Sequence, residues 1–355
     1  MPYSSSAQFR HEPTERIGIL LVNSGTPASL ATRDVRRFLK GLLSDRRVVE
    51  LPRLLWLPIL YGLILPIRPY LSARRYRLIW TAQGSPMTTL SNELASALSA
   101  ALARRTLGTF SVEVAMLYGP PTVAEALERL RSAGAQRLLV LPLYPQYSGA
   151  SSGAAFDQVT SELRRWRWLP QLRFIDQYAA EPLYIEALAA SVEQHWQTHG
   201  RTRRLLVSFH GIPERYFDRG DPYLYYCQKS ARLLAQKLQL PDDAWSVSFH
   251  SRFGAARWLG PYTADVVAGL PGQGVKELTV ICPGFAIDCL ETLEEIAIEN
   301  RDRFLAAGGE RFLYVPALNA RGEHVDALGE LITRNCRGWS CGDDETRAAA
   351  RIVPG

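Results

Sequence analysis

The sequence predicts an α/β fold built from two similar Rossmann-like domains, each a parallel sheet flanked by helices. Three observations predict it. Short, near-continuous apolar runs alternate with amphipathic helical stretches, the pattern of strands buried on both faces. The chain is 355 residues long, which suits two domains rather than one. And the second half echoes the first: Leu20–Pro27 (LLVNSGTP) resembles Leu205–Pro213 (LLVSFHGIP), and Gly134–Pro145 (GAQRLLVLPLYP) resembles Gly274–Phe285 (GVKELTVICPGF).

The elements follow in order. Ile17–Val22 (IGILLV) reads as a buried strand halted by Asn-Ser-Gly-Thr-Pro. Val112–Leu117 and Arg137–Leu141 are further strands, and Arg173–Ile175 a weak fourth. The helix Thr122–Ser132 lies between two of them, with Ala126, Leu127 and Leu130 on one face. A boundary is expected near Gln177–Pro182, before a helix Leu183–Gln197; Leu205–Ser208 and Leu278–Ile281 then repeat the strand signature. The domains are thus 16–178 and 179–325, with 326–355 as a C-terminal helix and tail packing back on the first. In open α/β sheets ligands sit beyond the carboxyl ends of strands, so the Gly/Pro-rich turns there are where chemistry is expected.

Composition narrows the function. At 47% hydrophobic and 21% charged residues the chain is globular rather than disordered. A net charge of +6 suits an anionic ligand or membrane surface. The basic residues form no stripe and no zinc-finger or RNA-binding motif occurs, so nucleic acid is not expected as a partner. The absence of a Walker GxxxxGK[ST] argues against ATP. Five cysteines without a CxxC argue against a disulfide framework or a four-thiolate zinc site. The polar N-terminus carries no apolar signal core, and a cytoplasmic location is expected. Leu54–Ile67 (LLWLPILYGLILPI) is uncharged, but its 14 residues, interrupted by Pro58 and Pro66, fall short of the ~20 needed to span a bilayer.

Two segments are candidates for chemistry. In Leu206–Tyr223 a strand delivers His210 to its carboxyl end, and Gly211 and Pro213 force a turn immediately after. An imidazole there serves proton transfer, metal contact or simply a hydrogen-bonded turn. In Cys282–Arg301 another strand end enters a helix with Asp288, Glu291, Glu295 and Glu299 at offsets of 3, 7 and 11, along one stripe. Such carboxylates repel unless protons, metal ions or basic groups compensate, or the stripe is a solvated face opposite Leu290, Leu293 and Ile296.

Three other patterns rank lower. Gly149–Gly153 matches GxSxG, but a nucleophile elbow needs its serine directly after a strand, and Ser151 lies ten residues past Leu141 beyond two prolines. His195 and His199 have metal-ligand spacing at the end of a helix, without a following Glu. Cys336 and Cys341 make neither a zinc nor an iron–sulfur site by themselves.

SFHGIPERYFDRGDPY, FHSRFGAARWLGPYT (Phe249–Thr263) and CPGFAIDCLETLEEIA resemble the signature segments of the ferrochelatases. LLVNSGTP, IWTAQGSPMTTLS (Ile79–Ser91) and LPLYPQYSGASSGAAF (Leu141–Phe156) resemble that family's N-terminal half, so the match runs in order across both domains. The resemblance implies a class II chelatase-like cleft between the domains. It also implies insertion of Fe²⁺ into protoporphyrin IX to give protohaem, a lyase reaction that ends haem biosynthesis. By the same resemblance His210 is the active-site histidine and Glu291 its partner carboxylate, together catalytic and metal-binding. Asp288, Glu295 and Glu299 are a proton or metal path on a helix widened by a π-turn. Trp258, Tyr118 and Ser24 lie near the porphyrin, Arg68 and Ser85 hold a propionate, and 54–71 is an apolar lip that in some members touches the bilayer.

The chain departs from the family pattern in places. Leu117 stands where Arg is frequent. Ser24 stands where coproporphyrin-using relatives carry Tyr, which favours protoporphyrin. Gly149 replaces the first cysteine of members with a [2Fe–2S] cluster, and the tail keeps only Cys336 and Cys341, so no cluster and no resident cofactor are expected; iron is a substrate. The alternatives are a coproporphyrin enzyme, a non-catalytic tetrapyrrole carrier, for which His210 and Glu291 need not be kept, or a serine hydrolase using Ser151. Peripheral contact with the cytoplasmic face of the membrane is expected through the lip.

Overall fold

Residues 16–105 and 109–339 are described by a computed structural model. The first half contains strands β1 (Arg16–Asn23), β2 (Thr109–Met116), β3 (Arg137–Pro142) and β4 (Gln171–Phe174). The second contains β5 (Arg204–His210), β6 (Trp245–His250), β7 (Glu277–Ile281) and β8 (Arg311–Val315). They form two four-stranded sheets, in the orders β2-β1-β3-β4 and β6-β5-β7-β8, with every pairing parallel. The two orders correspond strand for strand. The sequence echo therefore falls on equivalent pairs: β1 with β5, and β3 with β7.

Alternation along the central strands divides the core. Ile17, Ile19 and Leu21 of β1, with Leu205, Val207 and Phe209 of β5, face a layer of apolar side chains shared by both halves. Leu20 and Val22 face an outer layer of the first half, and Leu206 one of the second. This two-sided burial is why the central strands read as unbroken apolar runs. Gly25 closes β1 at a φ of 102°, where an added Cβ would lie 2.4 Å from the Tyr118 carbonyl oxygen.

Edge strands were harder to read. β6 (WSVSFH) and β8 (RFLYV) each border a sheet and are fully buried only toward their ends; serines interrupt β6, and β8 offers only the four-residue run Phe312–Val315. The helix Val123–Ser132 carries a reciprocal cap between Thr122 and Glu125. The helix Gly322–Asn335 lies against the helices Pro86–Ala103 and Pro182–His199, and Arg105 reaches both Asp326 and Glu330 at 3.2 Å. Arg173 stacks on Trp339, 4.2 Å from its ring centroid.

The lip is longer than its apolar stretch suggested. Helices Arg53–Ile59 and Leu65–Ile79 are joined by a π-turn, Leu60–Ile64, into a run of 27 residues, long and apolar enough to cross a membrane by length and composition. Pro58 does not break the run. A proline ring displaces one backbone hydrogen bond, and the wider turn that follows re-registers the ladder. One face is anchored through Trp56, Leu60, Leu65, Ala73, Tyr76 and Ile79. The other is bare: Leu54 is 91% exposed, Leu55 66% and Leu63 58%.

Candidate active site

His210 ends β5, half-buried, and is paired in register with His250 at the end of β6. Its Nδ1–H donates to the Gly211 carbonyl at 2.6 Å, which fixes the tautomer and leaves the Nε2 lone pair free. The Gly211 N–H donates in turn to the His250 carbonyl at 2.8 Å, and a Cβ on Gly211 would come within 3.1 Å of that oxygen and 3.2 Å of the Trp258 ring. Around the imidazole stand His250, Trp258 and Phe285, with ring centroids 6.0, 6.4 and 6.5 Å away.

His250 was not singled out from the sequence, though a signal existed: Val-Ser-Phe-His occurs at both 207–210 and 247–250. It is buried against Phe285 and bonds Ser208 Oγ through Nδ1 at 2.7 Å. Ser208 and Ser248 both meet the Thr263 hydroxyl, at 2.8 and 2.9 Å. Burial, then His210, pushes the His250 pKa well below the usual imidazole value, so this ring stays neutral.

The acidic segment leaves β7 through Cys282-Pro283-Gly284 and becomes a π-helix, Glu291–Asn300. Exposure rises along it: Glu291 and Glu295 are half-buried and Glu299 is exposed. Glu291 faces the first half. The phenols of buried Tyr76 and half-buried Tyr144 have their pKa values raised chiefly by desolvation, and the Glu291 charge adds to both. Tyr76 also hydrogen-bonds Thr26, and Tyr144 reaches Ser24. The turn after β1, the lip helix and the turn after β3 thus converge on a carboxylate supplied by the second half. Glu295 accepts from both the backbone N–H and the hydroxyl of Ser251, at 2.8 and 2.5 Å. Ser251 follows His250 at a φ of 64°, a conformation that a non-glycine residue holds only under constraint.

Asp288, expected on the path, is the most enclosed of its carboxylates. Its carboxylate is buried and accepts from Tyr314 at 2.6 Å, Thr292 and Asn319 at 2.8 Å and the Ala317 N–H at 3.3 Å. A carboxylate so enclosed fixes the loop before the π-helix. Asp288→Ala would orphan several buried donors and is expected to cost about 3 kcal/mol of folding stability. Glu299→Ala, which loses only surface ion pairs, is expected to cost under about 1 kcal/mol; urea denaturation midpoints compare the two.

The other expected residues lie on separate elements, Tyr118 among them away from the rest in the outer core of the first half. Arg68, on the lip helix, stacks over Phe253 at 4.2 Å and has no ion pair among the described residues; burial, then Arg75, lowers its pKa. Ser85 is buried and shares a 2.9 Å hydrogen bond with Thr26. Ser24 donates to Met87 Sδ at 3.9 Å. The Trp258 Nε1–H is buried with no acceptor among the described residues. Tyr118 is turned into the outer core of the first half, its hydroxyl donating to Asp45 at 2.8 Å.

The lower-ranked patterns also have places. Ser151 lies in a π-turn, Gly149–Gly153, bonded to the Ser148 carbonyl at 3.4 Å. His195 and His199 contact each other with ring centroids 4.4 Å apart. Cys336 is buried, its thiol pushed up to about 11 by burial; Cys341 lies outside the described residues. Among the described residues no group of three or more His, Cys, Asp or Glu side chains could hold a metal ion.

A family model described as Ferrochelatase matches residues 16–336. The chain belongs to the ferrochelatase family. A ferrochelatase from Thioalkalivibrio sulfidiphilus is 48% identical over 351 residues, 99% of this chain and 95% of the relative. One from Methylococcus capsulatus is 50% identical over 323 residues, 91% of this chain and 97% of the relative. Among solved structures, SirB from Bacillus subtilis with Fe³⁺ superposes with a TM-score of 0.53 over 91% of this chain and 96% of its own, at 11% identity. That likeness shows the fold, a class II chelatase fold. With it the ferrochelatase-type cleft acquires a frame: β5 and β7 bring His210 and the acidic helix to one side, and the lip and the turns after β1 and β3 form the other.

Proposed function

We propose that this ferrochelatase-family chain inserts Fe²⁺ into protoporphyrin IX, releasing two protons and giving protohaem at the end of haem biosynthesis. The observation that carries this reading is the placement of an imidazole with a free Nε2 and a stripe of carboxylates at the carboxyl ends of β5 and β7, under an apolar lip.

Metalation needs two pyrrole protons removed, a ring puckered so that a nitrogen lone pair meets the metal, and stepwise dehydration of the ion. His210 Nε2 accepts a proton or binds the metal; Glu291 is its partner donor. Ferrous iron accepts both imidazole and carboxylate, and a site with few donors lets the ion move on. Glu295 and Glu299 extend the stripe outward for proton release or metal entry. Trp258, Phe285 and the lip take the macrocycle, while Arg68 and Ser85 take a propionate. Ring distortion would draw on these remote contacts, at roughly 1–5 kcal/mol of strain. No resident cofactor is part of this reading. The purified protein should lack iron–sulfur absorption in the visible range, and Cys336→Ser should keep its activity; a brown preparation with stoichiometric iron and sulfide would refute it.

Anaerobic incubation with Fe²⁺ and either protoporphyrin or coproporphyrin, following each Soret band, tests the assignment. Preferred turnover of protoporphyrin is expected, and turnover of coproporphyrin alone would shift the substrate.

The lip fits a cytoplasmic enzyme lying on the membrane surface, where an apolar porphyrin partitions. Its inner face is tied to the core, so its outer face can enter the interface without the helix crossing. Leu54→Asp with Leu63→Asp changes only exposed positions. The double variant should fold normally, bind anionic liposomes more weakly and show a raised KM for protoporphyrin with little change in kcat. Unchanged liposome binding would rule out the membrane role.

A further inference from the structure

Arg75 projects from the lip helix onto the acidic helix of the other half. Its Nε donates to Glu294 Oε2 at 2.6 Å, and its Nη2 contacts both Glu294 Oε2 and, at 3.2 Å, Glu299 Oε2. Glu294 is buried, 6% exposed, whereas Glu299 lies open and also receives Arg303 at 3.0 Å. Glu294, Glu295 and Glu299 all act electrostatically on the Arg75 guanidinium. The arrangement is asymmetric: one carboxylate off the stripe is buried as a fixed anchor, while the cation it holds sits against the stripe's outer members.

We propose that Arg75 is a positioning residue for metal entry: anchored by Glu294, its guanidinium occupies the outer carboxylate stripe and competes with the incoming divalent cation. The inference rests on the reading of Glu299, Glu295 and Glu291 as a metal path. A divalent ion approaching Glu299 meets a positive charge already in its place. To advance, it must displace the Nη2–Glu299 contact, the longer and more solvated of the Arg75 interactions. The buried Glu294 pair retains the side chain. Because Arg75 belongs to the lip helix, the element that covers the porphyrin also carries the charge that screens the path. Metal occupancy of the stripe and lip position are thereby linked.

The test is steady-state insertion of Zn²⁺ into protoporphyrin, with direct Zn²⁺ titration of the porphyrin-free enzyme as a second readout. Arg75→Gln should lower the apparent KM for Zn²⁺ roughly three- to tenfold, the size expected of one charge acting on a divalent ion in largely solvated surroundings. The KM for protoporphyrin should stay within about twofold, and Arg75→Lys should restore wild-type behaviour if charge is what matters. Leaving Glu294 buried and unpaired could unfold the single variant. Arg75→Gln with Glu294→Gln removes both charges and carries the same expectation. A folded variant with an unchanged or raised metal KM overturns the proposal. Glu299→Gln separates it from the reading beneath: if that change raises the metal KM while Arg75→Gln does nothing, only the role of Arg75 falls. If neither Glu299→Gln nor Glu295→Gln alters metal handling, the path itself falls.

Discussion

A His210→Ala enzyme is expected to bind protoporphyrin almost normally and to insert iron about 10²–10⁴-fold more slowly, the range for a positioned acid–base group. The expectation rests on what the imidazole touches. Its Nδ1–H is committed to the Gly211 carbonyl, so the ring presents one lone pair in one orientation. Truncation removes that lone pair while leaving the aromatic surfaces of Trp258 and Phe285 and the basic Arg68, which supply most of the binding in this reading. The loss should therefore appear in kcat and not in the porphyrin dissociation constant. Fluorescence quenching of bound porphyrin and the Soret shift on metalation measure the two separately. The fold should survive, because the strand is held by its ladder to β6 and β7 and by the Gly211 N–H bond to His250. Equal loss of binding and turnover would make His210 a turn residue. The neutral neighbour His250 offers no rescue at this position, since its Nδ1 is tied to Ser208 and its ring is buried against Phe285.

What was legible in the sequence follows the physics of each element. β1, β3, β5 and β7 are central strands buried on both faces, and such strands announce themselves as apolar runs. Their carboxyl ends placed His210 and the start of the acidic segment without further help. β6 and β8 border their sheet: Ser246 and Ser248 interrupt β6, and β8 offers only the short run Phe312–Val315, half-buried until its last residue. His250 was hidden with β6, although the repeated Val-Ser-Phe-His marks it as the in-register neighbour of His210. Spacing placed Asp288 on the same stripe as Glu291, but spacing is blind to burial: Tyr314, Thr292 and Asn319 close around Asp288, and Glu294, off the stripe, is the carboxylate buried against Arg75 of the lip helix. Contacts between distant segments, such as Arg75 with Glu294 or Tyr76 with Thr26, depend on how the halves meet, and no local pattern encodes them. The prolines of the lip misled for a related reason. Pro58 is a helix breaker by propensity, yet a π-turn and the underlying core absorb it.

Neutralising the stripe one carboxylate at a time should give a graded series. Glu291→Gln is expected to lower kcat by roughly 10²-fold, as the loss of a group engaged in proton transfer at the reacting centre. Glu291 lies where the halves meet, near the phenols of Tyr76 and Tyr144 and hydrogen-bonded with Cys289, so glutamine keeps the shape and removes the charge. Glu295→Gln should fall in between. Its carboxylate also holds the constrained Ser251, so part of the loss should be structural and visible as a lowered Tm. Glu299→Gln should reduce kcat least, within about threefold, because the side chain is exposed and its charge is screened by solvent and by Arg303. The order 291, 295, 299 follows increasing exposure along the helix and not chemical type, since all are glutamates. Raising ionic strength should flatten the difference at Glu299 and leave that at Glu291, which sits away from bulk salt. A series in which Glu299→Gln is as damaging as Glu291→Gln would mean that outward transfer along the stripe limits turnover. One in which Glu291→Gln is silent would remove the carboxylate from the chemistry and leave the imidazole to act alone.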